Sequence, residues 1–144
     1  METQHLPVSG TLQMKITDGK EIEDTTTHFT GDFYHREKMD VLTFQEENDD
    51  DLSIKNLITI HNDKVSIKRT GDITMHQQFR VNQITEDVFK HPHVNIHMET
   101  YTNKLKYQAP INNDSGKLSI SFTVKLDGQE EREHQLNLLI KEDS

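Results

Sequence analysis

Residues Leu118–Lys141 read LSISFTVKLDGQEEREHQLNLLIK, and their alternation decides the fold. Leu118, Ile120, Phe122, Val124 and Leu126 occupy every second position, which in an extended chain puts all five on one face. Asp127-Gly128 follows, a pair that tolerates the positive φ of a tight hairpin turn. From about Glu131 to Lys141 the same period returns with His134, Leu136, Leu138 and Ile140 in phase. A helix would space its apolar residues three or four apart. The stretch therefore predicts two antiparallel strands, each with one buried face.

The same pattern extends back through the chain. Lys64–Arg80, KVSIKRTGDITMHQQFR, reads as two strands meeting at Thr70-Gly71-Asp72. Val65, Ile67 and Arg69 share one face before the glycine; Ile73, Met75, Gln77 and Phe79 share one after it. Further runs cover Val8–Thr17, turned by Asp18-Gly19-Lys20, then about Glu21–His35, Val41–Glu47 and Leu52–His61. Gly31, in the middle of the second, signals a bulge or a sharp coil. Ile54, Ile58 and Ile60 define the inner face of Leu52–His61, which Asn62-Asp63-Lys64 joins to the next strand as a hairpin. Val94–Thr102 and the short Leu105–Tyr107 read as separate strands, and Asn112–Gly116 as a turn. Val81–Lys90 fits a short helix or a weak strand equally well.

About eight to ten short strands with short turns and no long helix predict an all-β, antiparallel up-and-down barrel, since closure removes exposed edges. At 144 residues, with no linker or repeat, residues 1–144 read as a single barrel domain. Leu, Ile, Val and Phe make up a quarter of the chain, enough for a modest core. The single alanine, Ala109, and the many β-branched residues favour strands over helices.

Composition also narrows function. There is no cysteine, hence no disulfide, redox thiol or cysteine-ligated zinc. The N-terminal METQHLPVSG has neither a basic nor an apolar segment of the signal-peptide kind, and no run approaches a membrane span. A cytoplasmic protein with no membrane partner is expected. A net charge of −9 without a basic cluster argues against nucleic acid. The nine histidines nearly cancel that charge when protonated, so colloidal repulsion should fade below about pH 6.5.

Arg69 and Gln77 are the candidate ligand-binding residues. Each lies in phase with core positions, and a buried charge or amide must find partners. Either they face a hollow interior, the guanidinium clamping a carboxylate or phosphate and the amide orienting it, or Arg69 pairs with an internal glutamate or with backbone carbonyls. His91, His93 and His97 lie close in sequence, but positions 93 and 97 of one strand stand about 13 Å apart, too far for one ion. They read as a solvated face. Glu46, Glu47, Asp49, Asp50 and Asp51 lack the spacing of a calcium loop and read as an exposed acidic turn. No nucleophile elbow and no glycine-rich phosphate loop is present. The expectation is no catalytic residue, no metal and no cofactor.

At Arg69-Thr70-Gly71, Met75-x-Gln77-x-Phe79, Thr30-Gly31-x-Phe33-Tyr34 and Gly116-Lys117-Leu118-Ser119-Ile120, the chain resembles the YwiB-like family of small uncharacterised bacterial proteins. The likeness spans about Val8 to Ile140. It implies a calycin-like, lipocalin-type barrel from a bacterium of the Firmicutes type, and it brings no activity from which to carry over a catalytic residue. The chain departs from the family pattern at His91-Pro92-His93, where relatives place a glycine-containing turn.

Taken together, these residues lead to a noncatalytic barrel holding a small anionic ligand, with Arg69 and Gln77 as polar anchors among Ile67, Met75, Phe79, Phe122 and Leu136. The alternative is a solidly packed interaction module that meets an unidentified protein partner through out-of-register residues such as Leu57 and Leu139. An enzyme with an unrecognised site stands third.

Overall fold

The computed structural model describes residues 4–47, 53–71, 73–91, 94–111 and 114–143. Their strands are β1 (Gln4–Asp18), β2 (Glu21–His35), β3 (Asp40–Glu47), β4 (Ser53–Ile60), β5 (Val65–Gly71), β6 (Met75–Phe79), β7 (Ile84–His91), β8 (Val94–Gln108), β9 (Gly116–Leu126) and β10 (Arg132–Glu142). All belong to one antiparallel sheet of order β6-β5-β4-β3-β2-β1-β10-β9-β8-β7. Sheet neighbours are chain neighbours except where β1 meets β10, and the chain neighbours β6 and β7 are the two ends of the order, so the sheet is a meander curled on itself.

The turns follow from local chemistry. Asp127 and Gly128 both take positive φ, 48° and 75°, and Gln129 N–H donates to the Leu126 carbonyl at 2.8 Å. That is the type I′ geometry whose twist matches its flanking strands. Gly31 marks a close approach without a bulge. The β1–β2 register runs unbroken from Gln4 to Asp18, while a Cβ on Gly31 would collide with the Thr43 carbonyl of β3.

One open reading is resolved and one expectation changes. Of the helix or weak strand that Val81–Lys90 fits, the structure has a strand, β7, and Val94 to Tyr107 is one strand, not two. The apparent break is a bulge. Thr102 pairs with Phe122, Lys104 pairs with Ser121, and the extra residue Asn103 resets the phase so that Leu105 and Tyr107 rejoin the inner face.

Period-two faces from every strand but β7 meet in one core that includes Val8, Phe33, Leu42, Ile58, Val65, Phe79, Ile120, Phe122, Leu136 and Ile140. Phe79 and Phe122 meet edge to face, with ring centroids 4.8 Å apart. Closure between β6 and β7 is different in kind. Thr74 and Lys90 exchange backbone hydrogen bonds at 3.0 and 2.8 Å, and the Thr85 hydroxyl donates to the Gln78 carbonyl at 2.6 Å. A side chain thus takes the place of ladder bonds at the seam.

A second irregularity lies between β2 and β3. These strands pair only where Gly31–His35 meets Asp40–Phe44. Beyond Gly31 the earlier part of β2 continues beside β1, and the later part of β3 continues beside β4. Among the described residues the wall splits there and leaves a lateral gap toward the interior.

Candidate functional site

The interior holds two adjoining chambers. The larger, about 420 Å³, is lined by apolar side chains, among them Met14, Met75, Phe89, Ile96, Met98 and Phe122, and by polar Arg69, Gln77 and His134. The smaller, about 240 Å³, lies toward the β2–β3 split and includes Leu12, Thr25, Thr27, Glu46, Asn56 and Ile67. Met14, Arg69, Met75 and Gln77 line both. A groove of about 520 Å³ on the outer wall, beside Lys55, Leu57 and Lys68, is more open to solvent.

Arg69 and Gln77 are brought together by the β5–β6 hairpin, in which Ile67 pairs with Gln77 and Arg69 with Met75. Gln77 is buried, and its Nε2 donates to the Thr100 hydroxyl on β8 at 2.9 Å. Arg69 donates through Nη2 to Glu46 Oε2 at 2.7 Å. The side chains of that pair are 28% and 16% exposed, so it is partly shielded from water.

Glu46 thereby leaves the exposed acidic turn to which its neighbours assign it. It ends the inward series Leu42, Phe44, Glu46 on β3, so the signal lies in the parity of the strand, while the adjoining carboxylates pull the reading outward. Asp49–Asp51 lie outside the described residues, and nothing is described of the Glu47 side chain. Asn56 is a second residue that parity reveals, since it falls in phase with Ile54, Ile58 and Ile60 and is buried among them. It pairs in register with Arg69 on one side and Phe44 on the other.

Two donors in this group lack partners among the described residues. Asn56 Nδ2 and Arg69 Nε are both buried without a hydrogen bond, and both residues line the smaller chamber. A buried donor left unmade costs about 1–3 kcal/mol. The arrangement therefore holds unsatisfied donor capacity beside an apolar space. At the wall of the larger chamber His134 stacks on Phe122, with centroids 5.0 Å apart. Burial, aided by the Arg132 guanidinium, pushes its imidazole down to about 4. At neutral pH it is an uncharged polar group.

The histidine-rich segment lies elsewhere. His93 is outside the described residues and nothing is described of the His91 side chain. His97 is on the outer wall, with Nε2 at 4.0 Å from Glu86 and 3.8 Å from Glu99. These three are the one metal-capable trio among the described residues, with ligand atoms within 4.8 Å of one another. All three side chains are over a third exposed, and the two carboxylates face each other across β7 and β8 with the His97 ring beside them. Leu57 is exposed, as its register predicts, whereas Leu139 is half-buried.

A ten-stranded meander with a hollow, donor-lined interior can be set beside known proteins. The family described as Domain of unknown function (DUF1934) matches residues 11–138. The chain belongs to that family. Within DUF1934 it is similar to the uncharacterized beta-barrel protein YwiB of Bacillus subtilis (strain 168), with 22% identity over 135 residues, covering 94% of this chain and 93% of the relative. The crystal structure of the ywiB protein from Bacillus subtilis superposes with a TM-score of 0.85 at 19% identity, covering 97% of this chain and 94% of that one. At that identity the likeness shows the shared barrel, and the chemistry of the DUF1934 interior has to be read from its own side chains.

Proposed function

We propose that this DUF1934 barrel is a noncatalytic binding protein that encloses one small molecule, in the manner of a calycin, in the cytoplasm of a bacterium of the Firmicutes type. One observation carries the reading. Asn56 and Arg69, whose buried Nδ2 and Nε have no partners among the described residues, line a chamber of about 240 Å³ that shares Arg69, Met14, Met75 and Gln77 with a larger one of about 420 Å³. Ligand sites have this form, mostly apolar walls with a few polar groups that fix orientation. Met14, Met75 and Met98 add adaptable walls, which suit a ligand of irregular shape. A solidly packed interaction module has less support, because its interior should lack such space.

A neutral apolar dye, N-phenyl-1-naphthylamine, tests the reading. Its fluorescence should rise and saturate at about one dye per chain. Met75→Trp, which fills the space between the chambers, should abolish the signal while circular dichroism and thermal unfolding remain those of a folded barrel. Met98→Phe provides a gentler obstruction and should weaken binding. A signal that never saturates, or that both folded variants leave unchanged, would overturn the proposal.

A further inference from the structure

We infer that the head group of the enclosed ligand is an uncharged hydrogen-bond acceptor, a carbonyl of the amide, ester or ketone kind, and not an anion. This rests on the reading of the barrel as an interior binding protein and names the ligand class for that site.

The charge balance around the unpartnered donors carries the inference. Arg69 is the one cation among the described residues that line the smaller chamber, and Glu46 already holds its Nη2 at 2.7 Å. A carboxylate ligand reaching Arg69 would lie close to the Glu46 carboxylate, both competing for one guanidinium in a partly desolvated space where repulsion is weakly screened. It would also give up its own hydration on entering. The larger chamber offers no compensating charge. His134 is neutral at physiological pH, and Glu130 and Arg132 bring one charge of each sign to its lining, with Arg132 lying 3.5 Å from Asp18.

A carbonyl oxygen meets none of these costs. It accepts from Asn56 Nδ2 and Arg69 Nε, the atoms that lack partners, and leaves the ion pair intact. The apolar body of the ligand then extends past Met75 into the larger chamber. The β2–β3 split provides a path to the head-group end, because Thr25 and Thr27 of β2 line the chamber that contains Asn56 and Arg69.

The experiment is displacement of bound N-phenyl-1-naphthylamine at neutral pH by octanamide and by octanoate, probes of equal length that differ in head-group charge. Octanamide should compete at least roughly tenfold better than octanoate. Glu46→Gln frees the Arg69 charge and should reverse the order, octanoate then competing better. Octanoate equal to or better than octanamide in the unaltered protein, with the dye bound, overturns the head-group assignment and leaves the interior site standing. Absence of dye binding in the unaltered protein overturns the interior site itself. If Glu46→Gln fails to fold, the comparison in the unaltered protein decides alone.

Discussion

Tyr107, near the end of β8, donates its hydroxyl to Oδ2 of Asp40, the first residue of β3, at 2.6 Å. Oδ1 of the same carboxylate meets His35 Nδ1 at 2.6 Å. Strands β3 and β8 are far apart in the sheet order, so the Tyr107–Asp40 bond spans the barrel instead of running along its wall. Asp40 is buried, which makes each partner consequential, because a desolvated carboxylate with one bond fewer has no water to replace it. The two chambers exist only if the wall keeps its curvature, and a strut of this kind helps to hold it.

Tyr107→Phe should lower unfolding stability by about 1–3 kcal/mol, read from the urea midpoint at neutral pH. An alkaline effect accompanies it. Burial first, then the hydrogen bond and charge of Asp40, hold the Tyr107 phenol above its ordinary value. Above about pH 10 the unfolded chain releases this proton while the folded barrel keeps it, so the unfolded state binds fewer protons and stability falls as pH rises. The native protein should lose more stability than Tyr107→Phe between pH 8 and about pH 10.5. Equal losses would count against the strut.

His134 gives the opposite dependence. Its imidazole stays neutral in the fold down to about 4, whereas in the unfolded chain it takes a proton near its ordinary value of 6.5. Between those values the unfolded state binds more protons, so stability is retained above about pH 6.5 and declines as pH falls toward 4. Solvent screening at a partly exposed ring limits the loss to on the order of 1 kcal/mol at pH 5. His134→Gln should flatten the fall in melting temperature between pH 7 and 5. An unaltered slope would show that other groups dominate.

The strands and their inner faces are legible wherever alternation is clean, and least legible where polar residues occupy inner positions for a structural reason. Strand β7 shows why. Its half-buried residues are Thr85, Asp87 and Phe89, while Ile84 and Val88 are exposed, so much of the usual contrast is inverted. Thr85 is half-buried because its hydroxyl closes the seam to Gln78. Asp87 is half-buried too, its carboxyl raised by burial against the lowering effects of His76 and of a Gln78 backbone hydrogen bond. The candidate site was half readable. Parity places Arg69 and Gln77 on the inner face, and the same rule applied to β3 and β4 reaches Glu46 and Asn56. The Tyr107–Asp40 strut escapes the sequence entirely, because it joins residues 67 apart on strands that never pair.

Thr85→Val tests the seam. It keeps the shape of the side chain and removes the donor to the Gln78 carbonyl, so the loss should be about 0.5–1.5 kcal/mol. The effect should be local. Amide hydrogen exchange should accelerate in β6 and β7, which close mainly through this bond and the Thr74–Lys90 pair, while the long β1–β2 and β1–β10 ladders keep their protection. Uniform acceleration across the sheet would mean that the seam has no independent opening.

Asn56→Leu separates stability from binding. Asn56 is 3% exposed among Ile54, Ile58 and Ile60, and its Nδ2 has no partner, so its amide is a cost to the empty barrel. A leucine, of the same branching though larger, removes that orphan donor and adds apolar contact beside the smaller chamber, which should leave the melting temperature unchanged or raise stability by about 1–2 kcal/mol. The same change should weaken octanamide competition for the interior dye by roughly five- to tenfold, since one of the two free donors is gone. A protein retains a destabilising buried amide when the amide meets something in use, so a gain in stability coupled to a loss of binding marks Asn56 as a ligand contact. Lower stability with unchanged competition would mean that the amide serves the barrel wall.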